Sequence, residues 1–140
     1  MSIETVIHAN TYFWEFLIAG EVRARSIVDP MTATSTASIG AAGSLRSERS
    51  GLFWSHRLRI LIDDEPAYCF RRHFWGDFSD PERGVRYSRG SARVNDALVF
   101  HFPRNRQNRF TRTYTVILAD ESCLPLAVCF FPIALTLPLL

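Results

Sequence analysis

The chain has 140 residues, 47% of them hydrophobic, with sixteen basic against fourteen acidic residues and a formal net charge of +2. That length fits one domain, residues 1–140, with a core of its own, and the apolar fraction excludes general disorder. All sixteen basic residues are arginine, which fits the coding bias of a GC-rich bacterial genome and supplies forks that grip carboxylate or phosphate in a two-pronged way.

Taken in order, the elements read as strands. Thr11–Ile18 is rich in aromatic and branched residues, and Ala19-Gly20-Glu21 makes a turn. Val22–Val28 alternates, setting Arg23 and Arg25 against Val22 and Ala24, and Asp29-Pro30 ends it. Met31–Ser44 is small and polar without periodicity, and is expected to be a mobile loop with at most a weak strand inside. Leu52–Ile62 is strand-like, the acidic Asp63-Asp64-Glu65-Pro66 is a turn, and Ala67–Trp75 returns. Gly76–Gly84 is expected as a loop. Short strands follow at Val85–Arg89, Ala92–Val94 and Ala97–Phe102, broken at Gly90-Ser91 and Asn95-Asp96. Pro103–Arg109 is an arginine-rich turn, and Phe110–Ala119, full of β-branched residues, is the last strand.

The seventeen residues Leu124–Leu140 hold no charge and one hydroxyl, on Thr136. Such a segment belongs in a core or in a bilayer. A spanning helix needs about 20 apolar residues, and Pro132 falls where it interrupts the hydrogen-bond ladder. A helix over 120–140, apolar on every side because protein surrounds it, is the expectation. Asp120, Glu121 and Ser122 supply its cap and Pro125 an early helical position. Seven to ten strands with regular turns then predict a mainly β fold, an antiparallel closed β-barrel with the hydrophobic C-terminal helix packed in or against it.

This run of strands resembles the tubby-like superfamily, which includes tubby, phospholipid scramblases and the LURP-one proteins. The segment that carries the resemblance is Thr111–Leu137: a strand TRTYTVILAD, an acidic break, and an apolar helix. The resemblance implies a closed barrel threaded by its last helix. The lysine-containing phosphoinositide site of tubby has no lysine counterpart here, so no binding residue is carried over.

Chemistry-bearing residues are few. Residues 71–112 carry ten arginines against Asp77, Asp80, Glu82 and Asp96, a local excess of +6. Within them Arg104, Arg106, Arg109 and Arg112 surround a turn beside Phe110 and are the candidate anion or phosphate site; a solvated hairpin tip accounts for the same four charges. Arg83, Arg86, Arg89 and Arg93 form a second group, with nearby acids to neutralise part of it. Arg71 and His73 share one strand face and Arg72 the other. His56 and His73 flank the acidic turn and would be the acid–base pair of a barrel enzyme, while Trp14, Trp54 and Trp75 read as core.

No nucleophile motif, phosphate loop or metal-ligand spacing occurs, so no catalytic residue, metal or cofactor is assigned. Cys69, Cys123 and Cys129 are odd in number and read as free thiols. With no basic region preceding an apolar run at the N-terminus, a cytoplasmic setting, peripheral to membrane, is expected. The leading expectation is a non-enzymatic module that binds anionic phospholipid or another phosphorylated partner through arginines, without a strong nucleic-acid signal. Two alternatives stay open: a cyclase or isomerase holding an apolar ligand in an empty lumen, and a tail-anchored membrane protein.

Overall fold

A computed structural model describes residues 2–9, 13–29, 34–40, 43–50, 57–73 and 77–136. Within them run β1 (Ile3–Ala9), β2 (Trp14–Ile18), β3 (Glu21–Asp29), β4 (Thr34–Ser38), β5 (Ser44–Ser50) and β6 (Arg57–Ile62). They continue as β7 (Glu65–Arg72), β8 (Phe78–Asp80), β9 (Val85–Ser88), β10 (Ser91–Val94), β11 (Ala97–His101) and β12 (Thr113–Leu118). Each strand pairs antiparallel with the next in sequence, and β1 closes on β12. The barrel is therefore an up-and-down meander, in which closure removes the exposed edges an open sheet would carry.

Several hairpins turn in two residues. Ala19-Gly20, Asp63-Asp64, Arg89-Gly90 and Asn95-Asp96 all have positive φ at both positions, the geometry whose twist matches that of paired strands. Bulges between Ile60 and Leu61 and between Ala92 and Arg93 shift the register locally. The first explains why Ile60 and Leu61 are both buried despite adjoining positions.

The helix α1 (Leu124–Thr136) follows a 3-10 turn at Glu121–Cys123. Asp120 caps that turn by accepting from the Ser122 backbone N–H at 2.8 Å and from its hydroxyl. Pro125 is the second residue of the helix, where its missing N–H costs nothing. Six consecutive residues, Leu126–Phe131, are buried, so every side of the helix faces protein. Its two phenylalanines show what surrounds it. Phe130 meets Phe70 of β7, Phe78 of β8, Tyr87 of β9 and Phe100 of β11. Phe131 meets Trp14 and Phe16 of β2, Phe102, and Tyr114 of β12. Contacts to strands on opposing arcs of the ring place the helix inside the barrel.

The walls are unequal. On β3, β4 and β5 the inward residues are mostly small: Ala24, Ser26, Ser35, Ala37 and Ser47, alongside Leu45. The helix backbone comes closest to β3, β5 and β12, and phenylalanine and tyrosine fill the remaining width on the other arc. Within Met31–Ser44 the weak strand allowed for is β4, and β5 begins at Ser44. Small side chains mask β4, since alternation of Ser and Ala with Thr and Ser carries little hydropathy contrast. Ser35 and Ser47 face inward and bond to each other through their hydroxyls, which removes the cost of burying them.

Other boundaries also moved. β1, unassigned from the sequence, pairs with both β2 and β12. The loop expected over Gly76–Gly84 contains β8, and β12 starts at Thr113 because Phe110–Arg112 form the turn before it. Trp14 packs into the core as expected, whereas Trp54 and Trp75 lie outside the described residues. Among those residues no helix is long and apolar enough to cross a membrane.

Candidate functional site at the basic mouth

Up-and-down connectivity sorts the connections to alternate ends of the barrel. One mouth receives the connections β1–β2, β3–β4, β5–β6, β7–β8, β9–β10 and β11–β12; the other receives the remaining turns and the entry of α1. Among the described residues their charges differ. At the first mouth stand Arg89, Arg104, Arg106, Arg109 and Arg112, all exposed, with Asp29 and the buried Asp77. In or beside the turns of the opposite mouth stand Glu21, Asp63, Asp64, Glu65, Glu82, Asp96, Asp120 and Glu121, with Arg83 among them. The chain's net charge of +2 thus conceals, among the described residues, a more basic and a more acidic end, and summed fields of this kind orient a protein against a charged surface.

The β11–β12 connection is ordered by its own amides. Pro103 precedes a 3-10 turn at Arg104–Arg106. The Gln107 side chain donates to the carbonyls of Pro103 at 2.6 Å and Thr115 at 2.8 Å, and its Oε1 accepts from the Thr115 N–H at 3.3 Å. Asn108 Oδ1 accepts from the N–H groups of Phe110 and Thr111 at 3.0 and 3.2 Å. Asn108 and Thr113 also exchange backbone bonds at 2.9 and 3.0 Å. Between these anchors Phe110 projects with 102% of its reference surface exposed. A phenylalanine held wholly in water forgoes about 1.5–3 kcal/mol available from burial.

The four predicted arginines do come to one loop, but they are not equivalent. Arg106 is ion-paired with Glu4 of β1. Arg112 occupies the left-handed region at φ 54°, and its carbonyl accepts from the Ala9 N–H at 2.9 Å. Arg89, at φ 52°, takes the first position of a turn that asparagine or glycine fills with less strain. At the acidic mouth Asp63, Asp64, Asn95 and Asp96 hold such positions, residue types that tolerate this conformation, while Ala19 holds one at φ 53°.

The second arginine group assembles only in part: Arg86 and Arg93 stand opposite each other on β9 and β10, while Arg83 and Arg89 lie apart from them. Arg83 pairs with buried Asp80 at 3.1 Å and with Glu82 at 3.8 Å, near the acidic mouth. Arg86 pairs with buried Asp77 at 2.9 Å, and Arg89 sits in the turn itself. Arg71 is exposed on the outer wall, while Arg72 ends β7 on the same inward face as Phe70, at the rim. His73 bonds the Ser79 hydroxyl at 2.6 Å; its proposed partner His56 lies outside the described residues. His101 is half-buried between the buried Phe100 and Phe102, as alternation required.

Among the described residues two concavities each measure about 330 Å³. One lies on the outer wall where β11 and β12 share two residue pairs, lined by Leu98, Val99, His101 and Ile117 among others. The other lies at the acidic mouth, beside Arg23, Ile39, Glu121 and Pro125. Ser2 also lines the first and Ser122 the second, and among the described residues no group of acids, histidines and cysteines is arranged to hold a metal ion. The lumen alternative needs an empty interior, and over Leu124–Phe131 the interior is filled by the helix. No family model, curated protein or solved structure matches the chain.

Proposed function

We propose that the protein is a non-enzymatic β-barrel module that docks its basic mouth onto an anionic phospholipid surface. The observation that carries this is the pairing of a fully exposed Phe110 with Arg104, Arg109 and Arg112 on one ordered loop. An aromatic that enters the headgroup region beside basic groups that meet phosphates is the minimal peripheral anchor. The acidic opposite mouth favours the same orientation, because the bilayer's negative potential repels it. Likeness to the tubby-like superfamily, as a barrel enclosing its apolar C-terminal helix, is part of the same proposal and rests on architecture. A cytoplasmic, membrane-peripheral setting accompanies it.

Flotation with neutral and anionic vesicles at low and high salt tests the reading. Flotation is expected with anionic vesicles at low salt and is lost at high salt. Each basic side chain near such a surface contributes about 1 kcal/mol, so Arg104→Gln with Arg112→Gln should weaken partitioning roughly thirtyfold. Phe110→Ala should weaken it without changing its salt dependence. Undiminished flotation of the double arginine variant refutes the assignment.

A further inference from the structure

We infer a second anion site on the outer wall: a lateral row of arginines across β6, β7, β9 and β10 that takes a flexible, linear inorganic polyphosphate chain. The row is a product of strand register. Arg57 stands opposite Arg71, and Arg71 opposite Ser79. Ser79 stands opposite Arg86, and Arg86 opposite Arg93. The inward neighbours Leu58, Phe70, Phe78, Tyr87 and Ala92 are buried, so alternation turns the row outward, and all four arginines are exposed.

Like charges directly opposite on neighbouring strands repel and destabilise the sheet. Elsewhere the same barrel avoids this. Arg59 stands opposite Glu48 and Arg25 opposite Glu15, with ion pairs at 3.8 and 3.2 Å. On the row, Arg57 faces Arg71 and Arg86 faces Arg93. Among the described residues neither Arg57 nor Arg71 has a salt bridge, and Arg93 donates to the Asp96 carbonyl at 3.3 Å. Arg86 is held by Asp77, whose other oxygen accepts from Ser88 at 2.8 Å. At the centre, the Ser79 hydroxyl is bonded to His73 and flanked by Arg71 and Arg86. A phosphoryl group over Ser79 therefore meets a hydroxyl, an imidazole and a guanidinium from either side.

Shape selects the ligand. From β6 to β10 the row crosses four of the ring's twelve strand-to-strand steps. At about 4.8 Å per step this is about 19 Å of wall, and its ends face about 120° apart around a closed barrel. A flat bilayer reaches one end or the other. The row members are arginines and a serine, with no aromatic platform among them to stack a base. A bendable chain whose recognisable feature is its regular charge matches both properties.

Titration of the full chain with short-chain inorganic polyphosphate, followed by calorimetry across salt concentrations, tests this. Three arginines, Arg57, Arg71 and Arg93, have no salt bridge among the described residues, and at about 0.7 each they predict a log–log salt slope near −2.1. Arg71→Gln with Arg93→Gln should bring it near −0.7 and lower affinity at least tenfold, while vesicle flotation persists. Arg104→Gln with Arg112→Gln should do the opposite. Should the first double variant fail to fold by circular dichroism, Arg93→Gln alone should reduce the slope by about 0.7. Unchanged polyphosphate affinity in the row variants would overturn the site. So would orthophosphate binding as tightly as the chain, or tighter binding of a single-stranded oligonucleotide of equal charge.

Discussion

Phe130→Ala removes the ring at the centre of the barrel and tests whether the helix is a structural pillar. Phe130 is fully buried, with ring centroids 4.4 Å from Tyr87, 4.8 Å from Phe70, 5.9 Å from Phe78 and 6.3 Å from Phe100. Burial of such a side chain is worth about 1.5–3 kcal/mol by transfer. The cavity adds a further term, giving about 3–5 kcal/mol for Phe→Ala changes in cores. The upper half of that range applies here, because the surrounding strands belong to a closed ring that collapses poorly onto a void. A domain typically holds about 5–15 kcal/mol in total, so the loss is a large share of it. Equilibrium denaturation in urea with unchanged slope is the assay, and Phe110→Ala, at a fully exposed site, is its control. The control should stay within about 0.5 kcal/mol of the parent. A Phe130→Ala barrel less than about 1 kcal/mol weaker would refute the central position of the helix.

Termination of the chain after Cys123 removes the whole interior helix; it should abolish cooperative unfolding and near-ultraviolet dichroism, and a soluble folded barrel would contradict the packing described. Asp120 is held below the ordinary carboxylate value, first by the Ser122 hydroxyl bond and then by the Ser122 backbone N–H. Its contribution to stability is therefore present above that ordinary value and lost as pH falls through the depressed one; Asp120→Asn should flatten this acid limb in melts taken across pH. Burial pushes the Cys129 thiol up to about 12, so the unfolded thiol ionises first and stability declines from its ordinary range near 9 toward 12 as pH rises. In thiol labelling at neutral pH, exposed Cys69 should react at once and Cys129 on unfolding; rapid native labelling of Cys129 would mean an open core.

The elements that hydropathy and turn chemistry mark were readable in the chain. Val85–Ser88, Ser91–Val94 and Ala97–His101 fall where Gly90 and Asn95-Asp96 interrupt the pattern, and the unrelieved apolar run after Ser122 marked an element with protein on all sides. Thr34–Ser38 was readable only as an unplaced weak strand, because its inward Ser35 and Ala37 match its outward neighbours in polarity. Their smallness is explained once a helix lies against that wall.

The candidate sites divide the same way. A cluster such as Arg104–Arg112 is visible because its members are close in sequence. The basic and acidic mouths are not: that sorting follows from which connections share an end, which depends on every strand before them. Arg57 and Arg71 were remote in the chain from Arg86 and Arg93, and of the group Arg83, Arg86, Arg89 and Arg93 only Arg86 and Arg93 stay face to face on folding. What the sequence by itself determined was local: strand and turn chemistry, the apolar helix and the arginine-rich loop, because these depend on periodicity and near neighbours. Tertiary structure decided which residues stand opposite one another, because cross-strand register and ring closure join positions that no local pattern relates.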